Sequence, residues 1–372
     1  MDGAGPRACA AEPGRGLSRR GVLSAFAASA ALVPPAVLAE RAAAAGPTPA
    51  ADTAPVTLTL LGTVGGPPPN AHRYGISSAL TVNGRTYVVD CGRGAVSQYL
   101  RAGLSMPSLA GIFLTHLHAD HTVDYFAFPL LAGGTTGGFR EPIDVYGPGP
   151  AGMTSLVPSA PGRIPGTREM TELQNRAFSA ANTFFAAENF GTDPMSLLRV
   201  HDVMPPRWVR ASTENTAPRM RPFTVMENDD LKVSAVLVPH GAAYPSYAYR
   251  FDTEHGSVVF SGDTAPTPNI PILAKDADVL VHEVADFASL ARNGYAPEVI
   301  EHIRAVHTDV TDLGAIAAEA CVGNMVASHL SPVDPALLTD EQWDRLLQDS
   351  AAAAGYGGRM TLGTDLLSIP LG

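Results

Sequence analysis

The stretch Thr115-His116-Leu117-His118-Ala119-Asp120-His121 decides how this chain is read, because it sets three imidazoles and one carboxylate within six residues. It follows directly on the apolar run Gly111-Ile112-Phe113-Leu114, which reads as a buried strand. The cluster therefore lies on the loop leaving that strand, and the residues after it predict a helix from Thr122 to about Leu131. Neutral imidazole nitrogens and carboxylate oxygens are ligands that Zn²⁺ favours, with no sulfur required. His116 and His118, two residues apart, can reach one ion. Asp120 and His121, at the turn into the helix, can reach a second. A histidine in a loop is ordinarily solvated or a satisfied core group, but neither role calls for so dense a set at one strand end.

Working outward, Val56 to Leu61 alternates as a β-rich strand ending at Gly62, and Gly65-Gly66-Pro67-Pro68-Pro69 is a loop. Ser77 to Val82 and Arg85 to Asp90 form a hairpin through Asn83-Gly84, a strong short-range turn signal. Gly94 to Gly103 is a short helix that its last glycine terminates. Beyond the cluster, Ile143 to Pro148 is a strand and turn. Residues 150–230 are rich in proline, glycine and polar groups, with a helix expected from Glu172 to Phe190. Its Phe178, Phe184, Phe185 and Phe190 read as a packed stripe that docks the insert, and a segment this long is expected to be a lid over the site.

Regular patterning resumes with strands at Leu231 to Val238, Tyr247 to Phe251, Val258 to Ser261, Ala277 to Val281, Asn324 to Ser328 and a last one from Met360 to Ile369. Helices are expected at Thr311 to Cys321 and Glu341 to Ala354. Strands in two groups with helices between them predict two packed sheets with helices outside.

With 372 residues, 45% of them hydrophobic, the chain can bury a large core. Its formal net charge of −11 gives no electrostatic help toward a polyanion. Lysine is confined to Lys232 and Lys275, and the arginines of the insert are balanced by acids without a basic run. Nucleic acid is therefore not expected as a partner. Cys9, Cys91 and Cys321 offer no disulfide framework and no paired-cysteine zinc site. Cys91 and Cys321 read as small buried hydrophobes, with a disulfide between them left open.

Residues 1–45 do not read as part of the fold. Ser18-Arg19-Arg20-Gly21-Val22-Leu23 is a twin-arginine pair leading into an apolar stretch from Val22 to Leu38, broken by Pro34 and Pro35. Small residues follow, and the whole resembles a Tat-type export signal. Residues 46–55 are a proline and alanine linker, and residues 56–372 form the globular domain. The resemblance implies the Tat machinery as a partner, no permanent membrane anchor, and a periplasmic or secreted enzyme. A homodimer is compatible with the sequence.

His240, Asp263, Glu283 and His329 each follow an apolar run, so strand ends would carry them to one edge of the sandwich. The order of H-x-H-x-D-H at 116–121, His240, FSGDT at 260–264, His282-Glu283, His307-Thr308 and ASHLSP at 327–332 resembles the ribonuclease Z and arylsulfatase-like branch of the metallo-β-lactamase superfamily. The likeness spans roughly 56–370. It departs from ribonuclease Z at His282-Glu283-Val284-Ala285 and Tyr247-Ala248-Tyr249-Arg250, where that family usually has H-E-A-T and Y-G-Y-R.

The resemblance implies a four-layer αββα sandwich with an inserted, partly helical lid. It also implies two Zn²⁺ ions, or other divalent transition metals. His116, His118 and His240 would hold one ion, and Asp120, His121 and His329 the other, with Asp263 bridging. Asp120 would also orient or deprotonate the nucleophile, His307 would act as general acid or anion contact, and Glu283 would orient the His307 ring. The expected function is an exported dinuclear zinc hydrolase cleaving a small anionic phosphate or sulfate ester by metal-activated hydroxide. The alternative is a lactone or β-lactam hydrolase on the same fold. Ribonuclease Z-type RNA processing and a non-catalytic metal-binding protein stand further back.

Overall fold

The computed structural model describes residues 54–372 except 134–137, 161 and 189–190. The strands are β1 Val56–Gly62, β2 Ser77–Val82, β3 Arg85–Val89, β4 Leu109–Phe113, β5 Ile143–Pro148, β6 Leu198–Val203, β7 Phe223–Glu227, β8 Leu231–Leu237, β9 Tyr247–Thr253, β10 Gly256–Phe260, β11 Val279–Ala285, β12 Asn324–Ser331, β13 Arg359–Leu362 and β14 Ser368–Leu371. The helices are α1 Ala95–Arg101, α2 Ala119–Thr122, α3 Ala127–Gly133, α4 Thr167–Ala177, α5 Ser179–Ala187, α6 Asn269–Leu273, α7 Phe287–Arg292, α8 Pro297–Val306, α9 Leu313–Ala320 and α10 Asp340–Ala354.

Two seven-stranded sheets result, ordered β14-β1-β2-β3-β4-β5-β6 and β13-β12-β11-β10-β9-β8-β7. In the first, β3 to β6 run parallel; in the second, β10 to β13 do. Parallel neighbours cannot be joined by a tight turn, so helices fill the crossovers and cover the outer faces. Leu58, Leu60, Phe113, Val233 and Phe251 belong to one core cluster that unites both sheets. Tyr99 and Phe128 pack with Val88 and Ile112 outside the first sheet, and Leu313, Trp343 and Leu347 line the helical side of the second. The chain thus has mixed α/β architecture with two packed sheets, as expected. The hairpin turn falls at Asn83 (φ 50°) and Gly84 (φ 77°), the pair of left-handed residues that a two-residue loop needs.

Parallel strands also explain where the site lies. Ligands in α/β sheets gather at the carboxyl ends of the strands, where loops diverge and helix starts approach. Asp90, the 115–121 cluster, His240 and Asp263 follow the ends of β3, β4, β8 and β10, and Glu283 and His329 lie in the carboxyl-terminal halves of β11 and β12.

Several details differ from the sequence reading. The helix after the cluster is two short ones, and Ala119 to Thr122 already form the first of them. The 150–230 segment, expected as a lid, supplies edge strands β6 and β7 to the two sheets. Its helix is broken at Phe178, and Phe184 is 64% exposed, so the aromatic stripe is not core. Phe178 stacks on Phe126 at 6.0 Å, while Phe190 lies outside the described residues. The expected last strand divides, with β13 joining one sheet and β14 the other, because Gly363 to Leu367 carry the chain across. Cys91 is buried and Cys321 exposed, both as free thiols. Among the described residues no helix is long and apolar enough to cross a membrane. The export signal falls outside the described residues.

Candidate metal centre

Each residue of the centre is aimed by backbone that the strand ends impose. Asp90 (φ 57°) turns the chain as β3 ends. Its carboxylate accepts from Thr115 N–H and Thr115 Oγ1–H, both at 2.8 Å, which pins the start of the histidine cluster. The same carboxylate accepts from His121 Nδ1–H at 2.8 Å. Since Thr115 Oγ1 spends its proton on Asp90, His116 Nδ1 donates to that hydroxyl at 3.1 Å. His240 Nδ1 donates to the Val306 carbonyl at 2.9 Å. With Nδ1 engaged in each ring, all three Nε2 atoms face a common centre, the orientation that metal binding requires.

Gly262 (φ 58°) swings Asp263 into that centre, and a Cβ there would lie 2.7 Å from the Tyr247 carbonyl oxygen. His329 has φ 47° and occupies the bulge where the pairing of β11 and β12 slips between Glu283 and Val284. The extra residue re-aims its ring toward the site. Sequence reading set His329 at the end of its strand and Glu283 beyond one; both instead lie within strands.

The predicted residues converge. His118 Nδ1 is 3.0 Å from His116 Nε2 and 3.1 Å from His240 Nε2. Asp263 carboxylate oxygens lie 3.3 Å from His121 Nε2, 3.3 Å from His329 Nε2, 3.6 Å from His240 Nε2 and 3.9 Å from His116 Nε2. Asp120 Oδ2 is 3.5 Å from His329 and 3.6 Å from His121. The groups His116/His118/His240 and Asp120/His121/Asp263/His329 each bring their donor atoms within 4.8 Å of one another. Asp263 stands between them.

The donors fit metal ions better than they fit one another. His121 Nε2 and Asp263 Oδ1 are buried without a hydrogen-bond partner, which is costly unless something else satisfies them. One proton on His118 Nδ1 cannot serve both neighbouring lone pairs. Burial, and then the charge of His121, push the His116 ring well toward its neutral form. Burial opposes ionisation of Asp263, yet the His329 and His121 rings more than offset it and keep the carboxylate charged. Asp120 likewise overcomes burial, chiefly through the His329 contact, and drops to about 2.

His307 stands at the rim. Its Nδ1 donates to Glu283 Oε2 at 3.1 Å, and Glu283 Oε1 accepts from the Thr264 and Thr308 N–H groups at 3.2 and 2.9 Å. Burial works against a charged ring, but Glu283 outweighs it, lifting His307 to about 9. His118, Asp120, His240, Asp263, His307 and His329 face a cleft of about 660 Å³, walled by Pro67–Pro69, Tyr295, Ile303 and Leu337. His302, which no sequence motif marked, also lines this cleft. Asp90 was not read from sequence as part of the site. An aspartate closing a strand before Cys91-Gly92 was its only signal.

The profile of the metallo-β-lactamase superfamily matches residues 74–298, and the chain belongs to that superfamily. It is a metallo-hydrolase of that fold. Curated relatives named ribonuclease Z include one from Mycobacterium marinum, 28% identical over 311 residues that make up 84% of this chain and 97% of that protein. Another, from Mycobacterium sp. (strain KMS), is 29% identical over 314 residues, 84% of this chain and 94% of that protein. Among solved structures, the short form of human tRNase Z superposes with a TM-score of 0.57 at 18% identity, covering 85% of this chain and 99% of that one. The metallo-β-lactamase fold protein YhfI from Bacillus subtilis gives 0.55 at 17% identity, covering 85% and 99%. These structures share the fold. The exclusion of nucleic acid drawn from net charge does not stand, because the relatives bear the name of a ribonuclease. Overall charge is a poor guide here, since an anion meets the local field of the cleft.

Proposed function

We propose that the chain is a dinuclear-metal hydrolase of phosphodiesters, with RNA within its substrate range. His116, His118 and His240 would hold one ion, Asp120, His121 and His329 the other, and Asp263 both, zinc being the ion best suited to these donors. When bound, such a pair would polarise the ester oxygens and acidify a bound water.

The chain's own residues supply the proton movements. Asp120, ionised and facing the cleft, orients the attacking water and accepts its proton. The His307 imidazolium, held charged by Glu283, protonates the departing oxygen and faces the anionic centre. That Glu283–His307 pair beside the ligand groups is the observation that carries the reading, because an ester with a basic leaving group needs an acid there. The relatives named ribonuclease Z support the phosphodiester among the tetrahedral anions. A sulfate ester presents the same tetrahedral anion, and a lactone or β-lactam has less need of His307.

Chromogenic phosphodiester, sulfate ester, lactone and β-lactam substrates, assayed with and without chelator, test this. Chelator-sensitive turnover of the phosphodiester above the rest is expected; turnover of the lactone alone would replace this reading with the other. We also propose Tat-type export through Arg19 and Arg20 to the periplasm or exterior. Replacing both with lysine should leave unprocessed protein in the cytoplasm, and normal export of that variant would remove the idea.

A further inference from the structure

A second, smaller pocket of about 230 Å³ adjoins the centre, and His118 lines both it and the main cleft. Its walls are Met153, Ile164 and Pro165 from the insert and Ala243, Tyr244 and Pro245 from the loop after β8. The insert wall is built rather than draped. Met153 and Ile164 are set side by side by Ile164 N–H donating to the Met153 carbonyl at 2.9 Å, Ser155 N–H donating to the Gly162 carbonyl at 2.7 Å, and a β-bridge between Thr154 and Arg163. Among the described residues no lysine or arginine lines either the cleft or the pocket. An anion at the centre therefore meets little positive charge beyond the centre itself and His307.

We propose that this pocket is the subsite for the retained arm of the diester, and that it prefers an apolar or aromatic ring there. The inference rests on the phosphodiester reading. A diester has two organic arms on one phosphorus. With the leaving oxygen directed to His307, its arm lies in the larger cleft, and the other arm points across His118 into the pocket between the insert and Tyr244. The scarcity of cations suits a diester, which carries one negative charge, better than a monoester, which carries two near neutral pH. The volume lies just below that of ordinary ligand pockets and suits a single ring.

Two pairs of probes isolate the retained arm. Bis(p-nitrophenyl) phosphate and methyl p-nitrophenyl phosphate share one leaving group and differ in the arm that stays. Diphenylphosphinate and methylphenylphosphinate are their non-hydrolysable counterparts, read by calorimetry as Kd. The aryl member of each pair should be favoured by about tenfold or more, the scale of an apolar side-chain contact in a pocket. Ala243→Phe, which fills the pocket, should bring both ratios close to one, and Ile164→Ala should reduce them. Ratios unchanged in both variants, with the wild-type enzyme active on either diester, would overturn the subsite alone. Wild-type protein that hydrolyses neither diester would overturn the phosphodiester reading and the subsite with it.

Discussion

The carboxylate of Asp90 holds His121 Nδ1 at 2.8 Å while also fixing Thr115 through two hydrogen bonds. One buried side chain at the end of β3 thus sets both the tautomer of a candidate ligand and the path of the loop that carries the others. Asp90→Asn keeps an acceptor for Thr115 but removes the charge that steadies the His121 ring. Loss of such an outer partner usually weakens metal binding by about 10–100-fold. Metal titration by calorimetry should show that loss at one of two sites; two unaltered affinities would remove the role from Asp90.

His307→Ala tests proton donation. General acid help is typically worth about 10²–10⁴-fold, so turnover should fall on that scale while metal content stays unchanged. The loss should shrink for substrates whose leaving group is already a weak base, such as a nitrophenolate. An equal loss across leaving groups would indicate positioning. Loss of metal would mean that His307 is a ligand, which its proximity to His240 and Asp263 makes a sharp alternative.

The sign of the pH response follows from Glu283. Its charge raises His307 above the usual imidazole range, to about 9, against the opposing effect of burial. The acid form is present below that value and is lost as pH rises through it, so turnover should decline on the alkaline side. Cations seated nearby push the same group downward, and the comparison with a variant isolates the carboxylate. In Glu283→Gln burial loses its main counterweight, with Asp263 alone still raising the ring, and the alkaline limb should move down by about one unit or more, a change worth about 1.4 kcal/mol per unit. An unmoved limb would detach Glu283 from His307.

Much of the fold was legible because its signals are local. The Asn83-Gly84 turn and the apolar runs ending in His, Asp or Glu fix strands and their exits without tertiary information. The resemblance carried over the ligand positions, and the structure draws those residues together. What sequence could not show depends on register and long-range contact. The bulge at His329 arises only when β11 and β12 pair, and the crossing of Gly363–Leu367 between sheets leaves no periodic mark. Asp90 joins the site through a partner 31 positions away. The exposed Phe184 looked like core because a stripe of phenylalanines says nothing about what faces it.

A centre for two ions built on Asp263 predicts the metal content of each chain. Purified, metal-loaded protein measured by inductively coupled plasma mass spectrometry should contain two ions per chain. Asp263→Ala should lower occupancy at both sites, because the carboxylate stands between the two ligand groups. A wild-type content of one ion or none, or an Asp263→Ala protein that keeps both ions at full occupancy, would contradict the account.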